Sequence, residues 1–235
     1  MIRDVLLGFF LVIFISCQPQ ATESLGDDEI LTDSLDRTQP IEQNTLDNFQ
    51  NLVKDYENPE RNEWQHPELI LRTLEPLDNK VIADIGAGTG YFTFRIAREG
   101  AEVIAIDIDQ QFLDYIDDRK LELSDVIDYD MVRTVLSKED DPLLVEESVD
   151  GVLLVNTYHF INNRVDYMKK VKAGLRDSGK VVIVDYKRGD LPLGPDDEFK
   201  VSAEKVSEEL KKAGFINLEL DIKSLEYQYL ITGTK

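Results

Sequence analysis

Basic residues are scarce in this 235-residue chain: 26 Lys and Arg stand against 47 Asp and Glu, a formal net charge of −21. A surface of that sign lacks a sequence-independent grip on phosphates, so no nucleic acid is expected as a partner. The densest basic patch, Lys169, Lys170 and Lys172, reads as a solvated helix face. There is a single cysteine, Cys17, which excludes an intramolecular disulfide. With only two histidines, His66 and His159, the chain shows no Cys/His metal-ligand spacing, and no Ser–His–Asp set has local support. Internal repeats are also missing.

Long apolar runs are confined to one place. Residues 5–15 are unbroken apart from Gly8 and follow Arg3. That is too short for a helix crossing a hydrocarbon core, which needs about 20 residues, and suits the apolar region of a secretory signal. The run ends at Ser16-Cys17, which resembles a bacterial lipobox. The resemblance implies lipidation of Cys17, a membrane partner through it, and a place on the periplasmic side or in the cell envelope, with the cytoplasmic face left open. Residues 18–50 carry eight acids and one base with sparse apolar residues, the composition of a disordered acidic tether. The expected organisation is therefore a signal over 1–17, a tether over 18–50 and a folded domain over 51–235.

Within that domain strand-like and helix-like stretches alternate, which calls for a parallel sheet with crossover helices. Pro67 opens a helix with Leu69, Ile70 and Leu74 on one side. Strands are expected over 81–85, 102–106, 131–135, 149–155 and 180–185. Helices are expected over 89–98, over 110–122 with Asp109 as N-cap, and from 162 to a stop at Gly179. Ser202 caps a further helix closed by Gly214. The final strands, about 215–221 and 226–232, are joined too tightly for a helical crossover and should pair antiparallel. The fold class is α/β, Rossmann-like: a seven-stranded, mostly parallel sheet ending in an antiparallel hairpin.

The chemistry-bearing signal is Asp84-Ile85-Gly86-Ala87-Gly88-Thr89-Gly90. Here a strand runs into three glycines before a helix, so the backbone can turn sharply and approach a ligand. The helix start offers free N–H groups to an anion. Asp107 ends the second strand about twenty residues later, where an acid can accept hydrogen bonds from both hydroxyls of a ribose. Strand four ends in Asn156-Thr157-Tyr158-His159, at the sheet edge where open α/β proteins meet ligands. His159 is a candidate general base near neutral pH.

The G-x-G-x-G spacing with an acid two residues ahead resembles motif I of the S-adenosylmethionine (SAM)-dependent methyltransferases. The resemblance implies SAM as cofactor, with the methionine carboxylate at Gly86, Gly88 and Gly90 and Asp84 orienting the ligand's polar end. It implies the ribose on Asp107 and Ile108 against the adenine. Asp140 or Asp141 would accept from the adenine amino group, with the choice open. Asn156 would lie near SAM, and Tyr158 and His159 would face the methyl acceptor. Residues 58–67, with Arg61, Trp64 and Gln65, and residues 185–195, with Pro192, Gly194 and Pro195, are similar to a group of bacterial class I methyltransferases. Many of that group carry export signals. The resemblance spans about 55–235; Ser137 departs from it where a glycine is expected.

Methyl transfer from a sulfonium is an in-line displacement in which the protein mainly aligns donor and acceptor. The acceptor expected is a small molecule, a lipid or a protein side chain. Two alternatives remain from the residues: a non-catalytic SAM- or nucleotide-binding lipoprotein module, and an NAD-dependent oxidoreductase, since Asp107 would serve NAD equally well.

Overall fold

A computed structural model describes residues 39–235, with side chains from residue 48 onward. Cys17 and the signal and tether assigned to residues 1–38 lie outside the described residues. Residues 45–235 form one compact unit.

The sheet has seven strands: β1 Val81–Ile85, β2 Glu102–Asp107, β3 Val132–Leu136, β4 Val149–Val155, β5 Leu175–Tyr186, β6 Ile216–Asp221 and β7 Gln228–Thr234. Their order is β3-β2-β1-β4-β5-β7-β6. The first five pair in parallel, and β7 is antiparallel to both β5 and β6. This bears out the expected sheet and its terminal hairpin. Strand order reverses direction between β1 and β4, which opens a crevice at the carboxyl ends of those strands.

Seven helices accompany the sheet among the described residues: α1 Gln39–Tyr56, α2 Arg61–Gln65, α3 Pro67–Arg72, α4 Thr93–Arg98, α5 Gln110–Glu122, α6 Arg164–Gly174 and α7 Ala203–Ala213. Alternation along each buried strand feeds two cores. Ile82, Leu153, Val182 and Val184 face one side with Ile70 of α3, Ile96 of α4 and Ile116 of α5. Ala83, Val152, Leu154 and Ile183 face the other with Met168 and Val171 of α6 and Val206 and Leu210 of α7. Period-two burial from a parallel sheet covered on both faces produces this division. Asp109 caps α5 by accepting from the Gln111 amide, Ser202 caps α7, and Gly214 closes α7 at φ 93°.

Several boundaries differ from expectation. α1 begins at Gln39, so the last part of the stretch assigned to a tether is helical; Phe49 packs on Phe112 at 5.1 Å and Tyr56 stacks on it at 5.5 Å, giving the helix an apolar face. α4 starts at Thr93 rather than Thr89, because residues 86–92 are spent on the turn. α6 ends at Gly174 rather than running to Gly179. There Leu175 is fully buried opposite Val149, and a Cβ on Gly174 would lie 2.6 Å from Leu144. β3 and β7 each sit one or two residues later than read. The lysines of the basic patch are each engaged: Lys169 with Asp166, Lys170 with Asp141, and Lys172 with the Gly214 carbonyl.

Candidate functional site

The carboxyl ends of β1, β2 and β4 surround a cavity of about 720 Å³. Gly86, Ala87, Gly88 and Thr89 form its floor, Asp107 and Ile108 one end, and Asn156, Thr157 and His159 the other. Tyr56 of α1 and Arg61 and Trp64 of α2 wall it from the N-terminal side, and Tyr186, Gly194 and Pro195 from the side of β5.

The floor turns where it does because Gly86 has φ 74° and no room for a side chain. A Cβ there would lie 2.2 Å from Thr157 Oγ1, so the loop and the end of β4 touch backbone to side chain. The amides of Gly86 and Ala87 donate to the Ile106 carbonyl at 2.8 and 3.1 Å, and the Gly88 amide donates to Asp107 Oδ2 at 2.9 Å. Asp107 is 8% exposed and also accepts from the Asp109 amide. Burial pushes its carboxyl above the ordinary value, against those backbone donors. Thr89 is buried, and its hydroxyl has no hydrogen-bond partner among the described residues. A buried orphan hydroxyl on a cavity floor fits a polar ligand group.

At the opposite end, His159 Nδ1 lies 2.8 Å from Asp185 Oδ1, and the His159 amide donates to Asp185 Oδ2. Both side chains are almost fully buried. Asp185 also accepts from the Tyr186 amide. A carboxylate facing Nδ1 fixes the tautomer with the proton there and leaves Nε2 with its lone pair. Tyr186 closes this end beside Trp64, at 6.5 Å between ring centroids, and burial pushes its hydroxyl up to about 12. Gly194 presses against the Tyr186 ring, where a Cβ would come within 2.7 Å.

A family model described as Methyltransferase domain matches residues 83–181, a stretch that runs from within β1 through the glycine loop and β4 into β5. The chain is 29% identical over 184 residues to a tRNA U34 carboxymethyltransferase of Shewanella sediminis, covering 72% of this chain and 54% of that protein. The protein of the same name from Shewanella woodyi is 26% identical over 193 residues, covering the same shares. The chain thus spans about half the length of the curated relatives it matches. Its fold superposes on a SAM-dependent methyltransferase from Aquifex aeolicus with TM-score 0.70 at 22% identity, covering 77% of this chain and 96% of that one. Residues 83–181 thus match a methyltransferase domain, within a fold shared with a SAM-dependent methyltransferase.

The cofactor of this family is SAM, and the NAD alternative is set aside by the family match and by the β6–β7 hairpin. Among the residues singled out in the sequence, the cavity gathers Gly86, Gly88, Asp107, Ile108, Asn156 and His159. Gly90 belongs to the turn that leads into α4 and stays outside the lining, and so does Asp84. Asp84 is buried beneath the loop, where it accepts from the Thr93 hydroxyl at 2.7 Å and from the Thr93 amide. It caps the start of α4 instead of orienting a ligand directly, and desolvation pushes its carboxyl up to about 6.

Asp140 and Asp141 also stay outside the lining. Asp141 Oδ1 accepts from the Leu143 amide and Oδ2 pairs with Lys170 at 3.0 Å, while Ser137, Lys138 and Glu139 border the cavity beyond β3. Tyr158 is turned away from the acceptor end. It is fully buried in the α6–α7 core and its hydroxyl donates to Glu209 Oε2 at 2.9 Å. The next residue in the short helical turn, His159, points the other way, because a one-residue step there changes layers.

Sequence reasoning passed over Asp185, the partner of His159, and the roles of Arg61, Thr89 and Tyr186. Asp185 carried a signal, since it stands inward at the carboxyl end of a strand beside the one that ends at Asn156. The bond between Asn156 and Gln228 had none, since 72 residues separate them.

Proposed function

We propose that this chain transfers the methyl group of SAM to a nucleophile that sheds a proton as it is alkylated, an alcohol or an amine. The observation that carries the reading is one continuous cavity with an adenosine-type end at Asp107 and Ile108 and a His–Asp pair at the other end. Asp107 would accept from the ribose hydroxyls and Ile108, 59% exposed, would lie against the adenine. Thr89 and the loop would take the methionine end. When bound, SAM supplies a sulfonium-activated methyl group. The protein's part is to align the acceptor with that group and to remove a proton. In balance, the methyl carbon–sulfur bond breaks, a carbon–oxygen or carbon–nitrogen bond forms, and the acceptor proton moves to His159 Nε2. Asp185 then stabilises the imidazolium at 2.8 Å.

Trp64, Tyr186 and Phe160 give the acceptor end aromatic walls, which favours an acceptor with an apolar body over a strongly charged one. The charge of −21 disfavours the nucleic acid named for the curated relatives. A small molecule, a lipid or a protein side chain all satisfy this description. Incubation with methyl-labelled SAM and a bacterial extract, separated into lipid, protein and small-molecule fractions, tests the reading. Label should enter one fraction with wild type and none with Asp107→Ala. Absence of transfer by a protein that binds SAM would favour a non-catalytic binding module.

A further inference from the structure

We infer that Arg61 is a receptor for the α-carboxylate of the cofactor, reaching it from α2, which walls the cavity on its N-terminal side. This rests on the SAM reading above and goes beyond it, since Arg61 has no part in that reading.

The amides at the first three positions of the loop are already committed. The amides of Gly86 and Ala87 are spent on Ile106 and that of Gly88 on Asp107. The helix behind the loop is six residues long, and its first residue is capped by Asp84. A carboxylate arriving on the cavity floor finds no free amide at Gly86, Ala87 or Gly88. Arg61 lines the same cavity. Its Nε donates to Gln65 Oε1 at 2.5 Å, its Nη1 donates to the Tyr56 carbonyl at 2.9 Å, and its guanidinium lies 4.0 Å from the centre of the Tyr91 ring. These contacts leave Nη2 without a partner among the described residues. None of them is an anion, and Arg61 takes part in no salt bridge among the described residues.

A guanidinium stays charged under all ordinary conditions, so half-burying Arg61 without a counter-ion carries a cost. Desolvation accordingly lowers its pKa below the usual arginine value, with Asp84 acting on it only through space. The cost is tolerated because the side chain is held in a fixed chain of amides. Gln65, fully buried, donates to Gln228 Oε1 at 3.1 Å, and Gln228 donates to Asn156 Oδ1 at the end of β4. Arg61 is thereby referenced to the sheet edge that carries the reacting groups. A rigid fork with an unused donor, lining the same cavity as the buried and unpartnered Thr89 hydroxyl, is matched to a carboxylate.

Two ligands separate this role from a merely structural one. S-adenosylhomocysteine carries the α-carboxylate; 5′-methylthioadenosine keeps the adenosine thioether without it. Binding of each to the full chain is read by calorimetry and by the fluorescence of Trp64, the only tryptophan. Arg61→Met should weaken S-adenosylhomocysteine about 30-fold or more, the loss for a buried charge pair deprived of one member, and leave 5′-methylthioadenosine unchanged. Arg61→Lys should restore part of the loss. Equal weakening of both ligands, or no weakening of the first, overturns the assignment. A further measurement needs no variant: wild type should prefer S-adenosylhomocysteine over its carboxamide by a similar factor, and equal affinity for the two overturns the assignment whether or not Arg61→Met folds. Wild type that binds neither adenosine ligand overturns the cofactor reading together with this one.

Discussion

Asp84→Asn should make the protein more stable at neutral pH while making no difference of that kind in acid. Asp84 is buried under the glycine loop and holds its proton up to about pH 6, against 3.8 for an unperturbed carboxyl. Desolvation is the leading cause, offset in part by the Thr93 hydroxyl and by the charge of Arg61. Between these two pH values the unfolded chain ionises first, so the folded state binds more protons and stability falls as pH rises. The contribution is complete below pH 4 and lost above pH 6. At 1.36 kcal/mol per pKa unit the difference is about 3 kcal/mol. Asparagine keeps an acceptor for Thr93 and never ionises, so it should gain about 3 kcal/mol on wild type across that window. Urea unfolding at closely spaced pH values from 3.5 to 7.5 measures it, and the comparison cancels every carboxylate common to both proteins. Parallel stability profiles for the two proteins would refute the reasoning. The same logic makes Arg61→Met raise the titration midpoint of Asp84, since a positive charge is withdrawn from beside it.

Three further outcomes follow from named contacts. Gly86→Ala forces a side chain into φ 74° and into Thr157, and should cost about 2–5 kcal/mol in urea unfolding, with part recovered when Thr157 is also changed to Gly. Tyr158→Phe removes a buried hydroxyl from Glu209, so it should cost about 1.5–3 kcal/mol and leave cofactor affinity unchanged; a fall in turnover at full stability would return Tyr158 to the acceptor side. Once an acceptor is in hand, His159→Asn should lower kcat by roughly 10²–10⁴-fold with S-adenosylhomocysteine affinity intact, and Asp185→Asn should reproduce much of that loss by releasing the tautomer.

Local patterns were a good guide wherever a local cause dominates. The strand at Val149–Val155, the caps at Asp109 and Ser202 and the Gly214 stop all follow from short-range periodicity and hydrogen bonding. The glycine loop was legible for the same reason, since Gly86 needs a positive φ that few other residues tolerate. Tertiary partners decide what remained hidden. Asp84 and Asp107 look alike in sequence, both near the carboxyl ends of strands beside the loop. Only the packing shows that one caps a helix while the other lines the cavity. Tyr158 and His159 are neighbours whose side chains enter different layers, and no period of two or 3.6 carries through a single helical turn. Arg61 acquires its meaning from Gln228, 167 positions further on, through Gln65.

The most direct test of the central claim is a calorimetric titration of the full chain with S-adenosylhomocysteine, run beside NADH and repeated on Asp107→Ala. A methyltransferase site predicts one-to-one binding of S-adenosylhomocysteine to wild type, no binding of NADH, and a large loss of affinity in the variant. Binding of NADH, no binding of S-adenosylhomocysteine, or an affinity indifferent to Asp107 would contradict it.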